Sequence, residues 1–206
     1  MYYMGKKKKK IQKLEDRYLW DQNDAAYHES GHAIAFIVYG TNFRHVDIIN
    51  IPGVRGGHVH GKRRVDGIGY ADPFNRIIVD LCGEIAQSHK YNLKYRRDIL
   101  FSGGKADNEN VSSLLMWIDQ TLRSVTYKNL PQSYHPCYRK IRDLLMMNAF
   151  KLVNDNWSQI DLIAKELSIK KKLEYWEVVK LLVENNMYDS LVAPPRIKLE
   201  PPVSKK

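Results

Sequence analysis

The chain has 206 residues, 44% of them apolar and 11% aromatic, with a formal net charge of +10. That balance fits one globular domain with a real core and excludes a disordered or fibrous polymer. Two cysteines, Cys82 and Cys137, exclude a disulfide framework and lack zinc-ribbon spacing, and no apolar run approaches the roughly 18 residues of a membrane span, so a cytoplasmic, reducing location is expected.

The chain opens on an unbroken basic run, Lys6 to Lys10, followed by a short amphipathic lead-in, Ile11 to Trp20. Residues 1–19 are therefore read as a basic tail with a lead-in helix. Such a run is ordinarily solvated, and contact with nucleic acid or an acidic membrane surface is its second reading.

The next stretch, Ala25 to Tyr39, contains His28-Glu29-Ser30-Gly31-His32. On a helix, residues four apart lie on one face, so both imidazoles can reach one tetrahedral Zn²⁺ through ring nitrogens at about 2.0–2.1 Å. Glu29 is turned about 100° from His28, off the metal but within reach of a water at its open position. Asn23 and Asp24 are candidate N-caps, and Gly40 stands where a glycine ends a helix. A core helix with two satisfied histidines explains the apolar run Ala33 to Val38, but not three polar groups crowded just before it.

Beyond Gly40, Arg44 to Ile51 alternates and is rich in β-branched residues, which predicts a strand. Pro52-Gly53 marks a turn, and Gly56 to Gly61 predicts a second short strand. Glycine in a strand marks close approach of another backbone, so Gly57, His58, Val59 and His60 form a candidate substrate-binding strand. His58 and His60 project to one side. A second metal pair is the minor reading there, and an exposed polar face or substrate contact the preferred one. Lys62-Arg63-Arg64 reads as the solvated end of the hairpin.

Pro73 opens a second helix, Phe74 to Gln87, in which Cys82 and Gly83 are small enough for a close helix crossing. Cys82 is assigned to packing. Two glycines, Gly103 and Gly104, then precede the acidic cluster Asp107-Asn108-Glu109 and a third helix over Val111 to Leu122. Helices also fit Tyr138 to Asn154, Ser158 to Leu167 and Leu173 to Asn186.

A catalytic zinc site needs a third protein ligand. The metzincin extension requires glycine at Ala35 and histidine at Val38, and neither is present. Glu84, Asp107, Glu109, His58 and His89 stay open as candidates. Asp107 has the better placing, near a helix N-terminus after a glycine turn, and its plain structural reading is an N-cap.

Four stretches in order carry a family resemblance. Ala26 to Ala33 resembles the A-x-H-E-A-G-H-A signature of the peptidase domain of FtsH-type ATP-dependent zinc metalloproteases. Ile48 to Pro52 with Gly56-Gly57-His58 is similar to that family's strand pair beside the active site. Leu81 to Gln87 is similar to its L-G-G-R-A-A-E helix, and Ser102 to Asp107 to its T-G-A-x-x-D segment. The resemblance spans roughly residues 20–185 and implies that Asp107 is the third zinc ligand. Two departures accompany it: Glu84 replaces the arginine of L-G-G-R, and the A-T after the aspartate is not reproduced. The 27 residues before His28 are too few for the family's ATPase module or membrane spans, so no ATP-driven unfolding is expected in this chain.

The expectation is thus an α+β, predominantly α-helical protein. A zincin-like HExxH helix lies beside a small β-sheet or hairpin, followed by a C-terminal helical bundle. Residues 20–188 form a zinc metallopeptidase domain, and residues 189–206 a Pro/Lys-rich disordered tail. One Zn²⁺ per chain is held by His28, His32 and Asp107, with Glu29 as general base for hydrolysis of peptides or unfolded proteins. The expected partners are such substrates, with a separate ATPase or unfoldase, a homo-oligomer, or nucleic acid at the basic tails as further ones, and no transmembrane segment. The alternative is a zinc-stabilised, non-catalytic interaction module, in which Glu29 has no task.

Overall fold

A computed structural model of the chain describes residues 22–48, 57–61, 72–91, 105–121 and 138–195. The lead-in helix, the Lys6–Lys10 run, the Pro52-Gly53 turn, Lys62-Arg63-Arg64, the Gly103-Gly104 turn and residues 196–206 lie outside the described residues. Six helices and three strands are described: α1 (Gln22–Val38), β1 (Phe43–Asp47), β2 (His58–Gly61), α2 (Pro73–Lys90), α3 (Lys105–Thr121), α4 (Tyr138–Asp155), α5 (Trp157–Lys170), β3 (Lys172–Glu174) and α6 (Tyr175–Glu184). The architecture is mostly helical with one small antiparallel sheet. None of the described helices is long and apolar enough to cross a membrane.

Helix α1 is the centre of the molecule. From Asp24 to Ile37 every side chain but Tyr27 is buried, because α2 packs along one side and α5 along another. A helix apolar on most faces is stable only when surrounded in this way. Gly31 sets its approach to α2: a Cβ there would stand 2.5 Å from the Cys82 carbonyl oxygen and 2.7 Å from Ala86 Cβ. Cys82 is wholly buried, and burial pushes its thiol up out of the reactive range, in keeping with packing.

The helix ends as its glycine predicts. Gly40 adopts φ +67°, its N–H donates to Ile37 O at 2.9 Å, and the Thr41 N–H donates to Phe36 O at 2.8 Å. This is a Schellman closure, in which only glycine takes the left-handed conformation without cost. The start differs from expectation. Asn23 and Asp24 lie inside the helix, and the buried Asp24 carboxylate instead accepts from Lys90 Nζ at 3.1 Å and from the Tyr91 hydroxyl.

The sheet runs in the order β2–β1–β3, antiparallel throughout. In β1, Phe43 pairs with Gly61 and His45 with His60, so Arg44 is an extra residue, a β-bulge. The bulge resets the alternation. Phe43 and Val46 both face the core, while His45 and Asp47 point to the opposite face.

Two C-terminal expectations change. Leu173, expected within a helix, is the buried centre of β3, and α6 begins at Tyr175. Glu174 and Glu177 form a capping box there, with the Glu174 N–H donating to Glu177 Oε2 at 2.9 Å, which fixes the helix start. The C-terminal helices pack chiefly on the earlier ones, α4 on α2 and α5 on α1. Residues 189–195, expected in the disordered tail, dock onto the corner between α4 and α5. Buried Asn156 accepts from the Val192 N–H at 2.8 Å and donates to Val192 O at 2.9 Å, and Asn148 donates to Pro195 O at 3.3 Å. Two bonds from one buried amide satisfy the backbone of an otherwise irregular segment.

Candidate metal centre

Helix α1 presents His28 and His32 on one face, one turn apart, with their rings edge to face and centroids 4.7 Å apart. Helix α3 brings Asp107 to meet them from its first turn. Asp107 Oδ2 lies 3.2 Å from His28 Nε2 and 3.5 Å from His32 Nε2, and the two Nε2 atoms are 3.1 Å apart. Tetrahedral donors bonded to zinc at about 2.0–2.1 Å stand about 3.3 Å from one another. The triangle matches one face of such a tetrahedron, and the three side chains form a group that could hold a metal ion.

The protonation pattern points the same way. His32 Nδ1 lies 2.8 Å from the Val79 carbonyl oxygen, which accepts only, so Nδ1 carries the proton and donates. In the neutral ring, Nε2 then turns a lone pair toward the Asp107 carboxylate and the other imidazole. That crowding of acceptors is relieved by an Nε2–H on His28, by a second proton on His32, or by a cation among the three atoms. Without a metal, burial pulls the His32 pKa down, but Asp107, Glu29 and the Val79 bond push it up to about 10. Burial raises Asp107, yet the two histidines hold it well below the usual carboxylate range.

Helix α2 shapes the third side of the site. A Cβ at Gly83 would stand 2.3 Å from His32 Nε2 and 2.8 Å from His28 Nε2, so glycine there leaves the imidazoles their room. One residue further, Glu84 accepts from Asn108 Nδ2 at 2.7 Å. This bond ties α2 to α3 beside Asp107 and makes Glu84 a positioning residue. Glu109 is exposed, and His89 packs at a tilt against Trp157 with ring centroids 4.1 Å apart. Of the five candidates for the third ligand, only Asp107 converges with His28 and His32 among the described residues.

Glu29 is buried beside the triangle without belonging to it. Burial raises its pKa, His28 and His32 oppose that, Asp107 adds to it, and His58 opposes it. Gly57 lies directly against Glu29: a Cβ at position 57 would stand 2.5 Å from Glu29 Cγ and 2.4 Å from Asp47 O. Gly57, the first residue of the expected substrate strand, therefore lies against the candidate base. His58 and His60 are exposed and Val59 half-buried on β2, an edge strand of the described sheet.

Sequence reasoning missed three contributors. The Val79 carbonyl is a backbone group that no residue type announces. Asn108 reads as part of a polar turn. Asp80 leaves a trace, as a single charge within the apolar run Ile77 to Cys82. Its carboxyl is pushed up to about 7 by burial, with His32 and Arg76 opposing and Asp107 adding, and its Oδ2 has no hydrogen-bond partner among the described residues. Comparison with protein-family models and with curated proteins finds no match for this chain.

Proposed function

We propose that this chain is a zinc-dependent metalloendopeptidase acting on peptides or unfolded protein segments, with a zincin-like arrangement of its motif helix. One observation carries the reading: His28 Nε2, His32 Nε2 and Asp107 Oδ2 converge at 3.1–3.5 Å while the other ring nitrogen of His32 is committed to Val79 O. The donor set, two imidazoles and one carboxylate, leaves a coordination position open and is that of a catalytic rather than a closed structural zinc site. A bound zinc ion supplies Lewis-acid polarisation of a carbonyl and lowers the pKa of water towards roughly 7.

The chain's own residues do the rest. Glu29, raised by burial, accepts the proton of the attacking water and returns it to the leaving amine, so it must sit beside the ligands without being one. Glu84 and Asn108 hold α3 so that Asp107 reaches across. Gly83 keeps the space that the imidazoles occupy. Strand β2 pairs with β1 on one edge only among the described residues, and an extended peptide adding to its other edge would run past Gly57 and Glu29. Main-chain pairing gives affinity with little side-chain selectivity, which suits unfolded segments. The deciding experiment is hydrolysis of an unfolded protein by zinc-loaded wild type and by Glu29→Gln. A chain that binds zinc but cleaves nothing would instead be a zinc-stabilised interaction module.

A further inference from the structure

The geometry points to a second divalent-metal site, in which His45, Asp47 and His60 hold a first-row transition ion of the zinc class across the β1–β2 pair. The sheet places these residues together. His45 and Asp47 are two apart on β1 and share a face, and His60 is the cross-strand partner of His45. The bulge at Arg44 turns that face away from the core, because Val46 and Phe43 take the inner side.

Asp47 Oδ2 lies 3.2 Å from His45 Nε2 and 3.2 Å from His60 Nε2. All three donor atoms lie within 4.8 Å of one another, as in the centre formed by His28, His32 and Asp107. The 3.2 Å edges match the about 3.3 Å spacing of tetrahedral zinc ligands. Paired imidazole–carboxylate hydrogen bonds are the competing account, with each ring donating an Nε2–H to the same Asp47 oxygen. One shared cation instead satisfies both nitrogens and the carboxylate at once, across rings tilted by 31° with centroids 4.2 Å apart. Lys172, registered with Asp47 on the other side, is engaged by Glu174 at 2.7 Å. Imidazole nitrogens with one carboxylate oxygen suit Zn²⁺, Cu²⁺ or Ni²⁺ rather than Mg²⁺ or Ca²⁺. His58, whose ring centroid is 5.8 Å from that of His60, lies outside the set.

An ion in this site cross-links β1 to β2 and so fixes the strand that follows Gly57, which lies against Glu29. That consequence for activity rests on the peptidase reading, whereas the site itself does not.

The test is titration of the full chain with Zn²⁺ alone, in competition with a chromophoric chelator. Wild type should bind two equivalents, His60→Ala and His45→Ala one, and His58→Ala two. The side chain of His60 is 45% exposed on an edge strand, so its removal should leave the fold intact, which circular dichroism would verify. In His60→Ala the affinity for the second equivalent should fall by more than the about 10–100-fold that loss of a mere outer partner costs. Amide exchange in β1 and β2 should slow with the second equivalent in wild type and not in His60→Ala. The inference is overturned if His60→Ala still takes up two equivalents, or if wild type binds one equivalent that His60→Ala retains. A single equivalent abolished by His60→Ala would instead uphold this site and count against the buried centre.

Discussion

A single hydrogen at Gly83 is all that the structure allows opposite His32: a Cβ at position 83 would lie 2.3 Å from His32 Nε2. His32 Nε2 and the α2 backbone thus share a gap that no larger residue can enter. Gly83→Ala should therefore displace both imidazoles, reduce zinc affinity by at least about tenfold, and destabilise the protein by about 1–3 kcal/mol through overpacking. Zinc competition and thermal melts would check it. Unchanged affinity would show that the rings do not need that space.

Asp107 should be separable from its acidic neighbours. Asp107→Ala should lose most metal affinity, because its Oδ2 is the only carboxylate oxygen in the triangle. Glu109→Ala should bind zinc like wild type, since Glu109 is exposed. Glu84→Ala should fall between them, acting through Asn108. Measured zinc stoichiometry and affinity across the three variants decide the order, and a Glu109 effect as large as that of Asp107 would refute it.

The histidine motif was legible because helical geometry alone places His28 and His32 on one face. Gly40 was legible because a left-handed helix end demands glycine. Asp107 stood ahead of the other candidate acids through its glycine turn and the family resemblance, and the packing of α3 against α2 brings it, alone of them among the described residues, to His28 and His32. The bulge at Arg44 was hidden, since a strand with one extra residue still alternates on either side of it. Leu173 was misplaced because an apolar residue before a helix carries no mark of strand pairing, although Glu174 and Glu177 spelled the capping box that ends it. The docking of residues 189–195 depends on a single distant side chain, Asn156, that local composition could not connect to them.

Metal-free protein should show a pH signature of the site. The folded His32 pKa of about 10 lies above its unfolded value of about 6.5. A raised pKa contributes stability that is fully present below the unfolded value and is lost as pH rises through the folded one. Chelator-treated protein should therefore lose stability progressively between about pH 6.5 and about pH 10. Zinc-loaded protein should not, because its His32 is neutral throughout. Melts of both forms across that range check the sign, and a metal-free protein that gains stability over it would contradict the assigned contacts.

The most direct measurement compares wild type with Glu29→Gln in hydrolysis of an unstructured protein such as casein, each loaded with zinc. Glu29 lies outside the ligand triangle, so the glutamine variant should keep its fold and bind zinc at His28, His32 and Asp107 as wild type does. Glutamine preserves the shape but cannot accept the proton, a function worth about 10²–10⁴-fold in rate. The account predicts cleavage by wild type, its loss on chelation and return with added zinc, and a fall of at least 10²-fold in the variant. Equal cleavage by the two proteins, or no cleavage by zinc-loaded wild type, would contradict it.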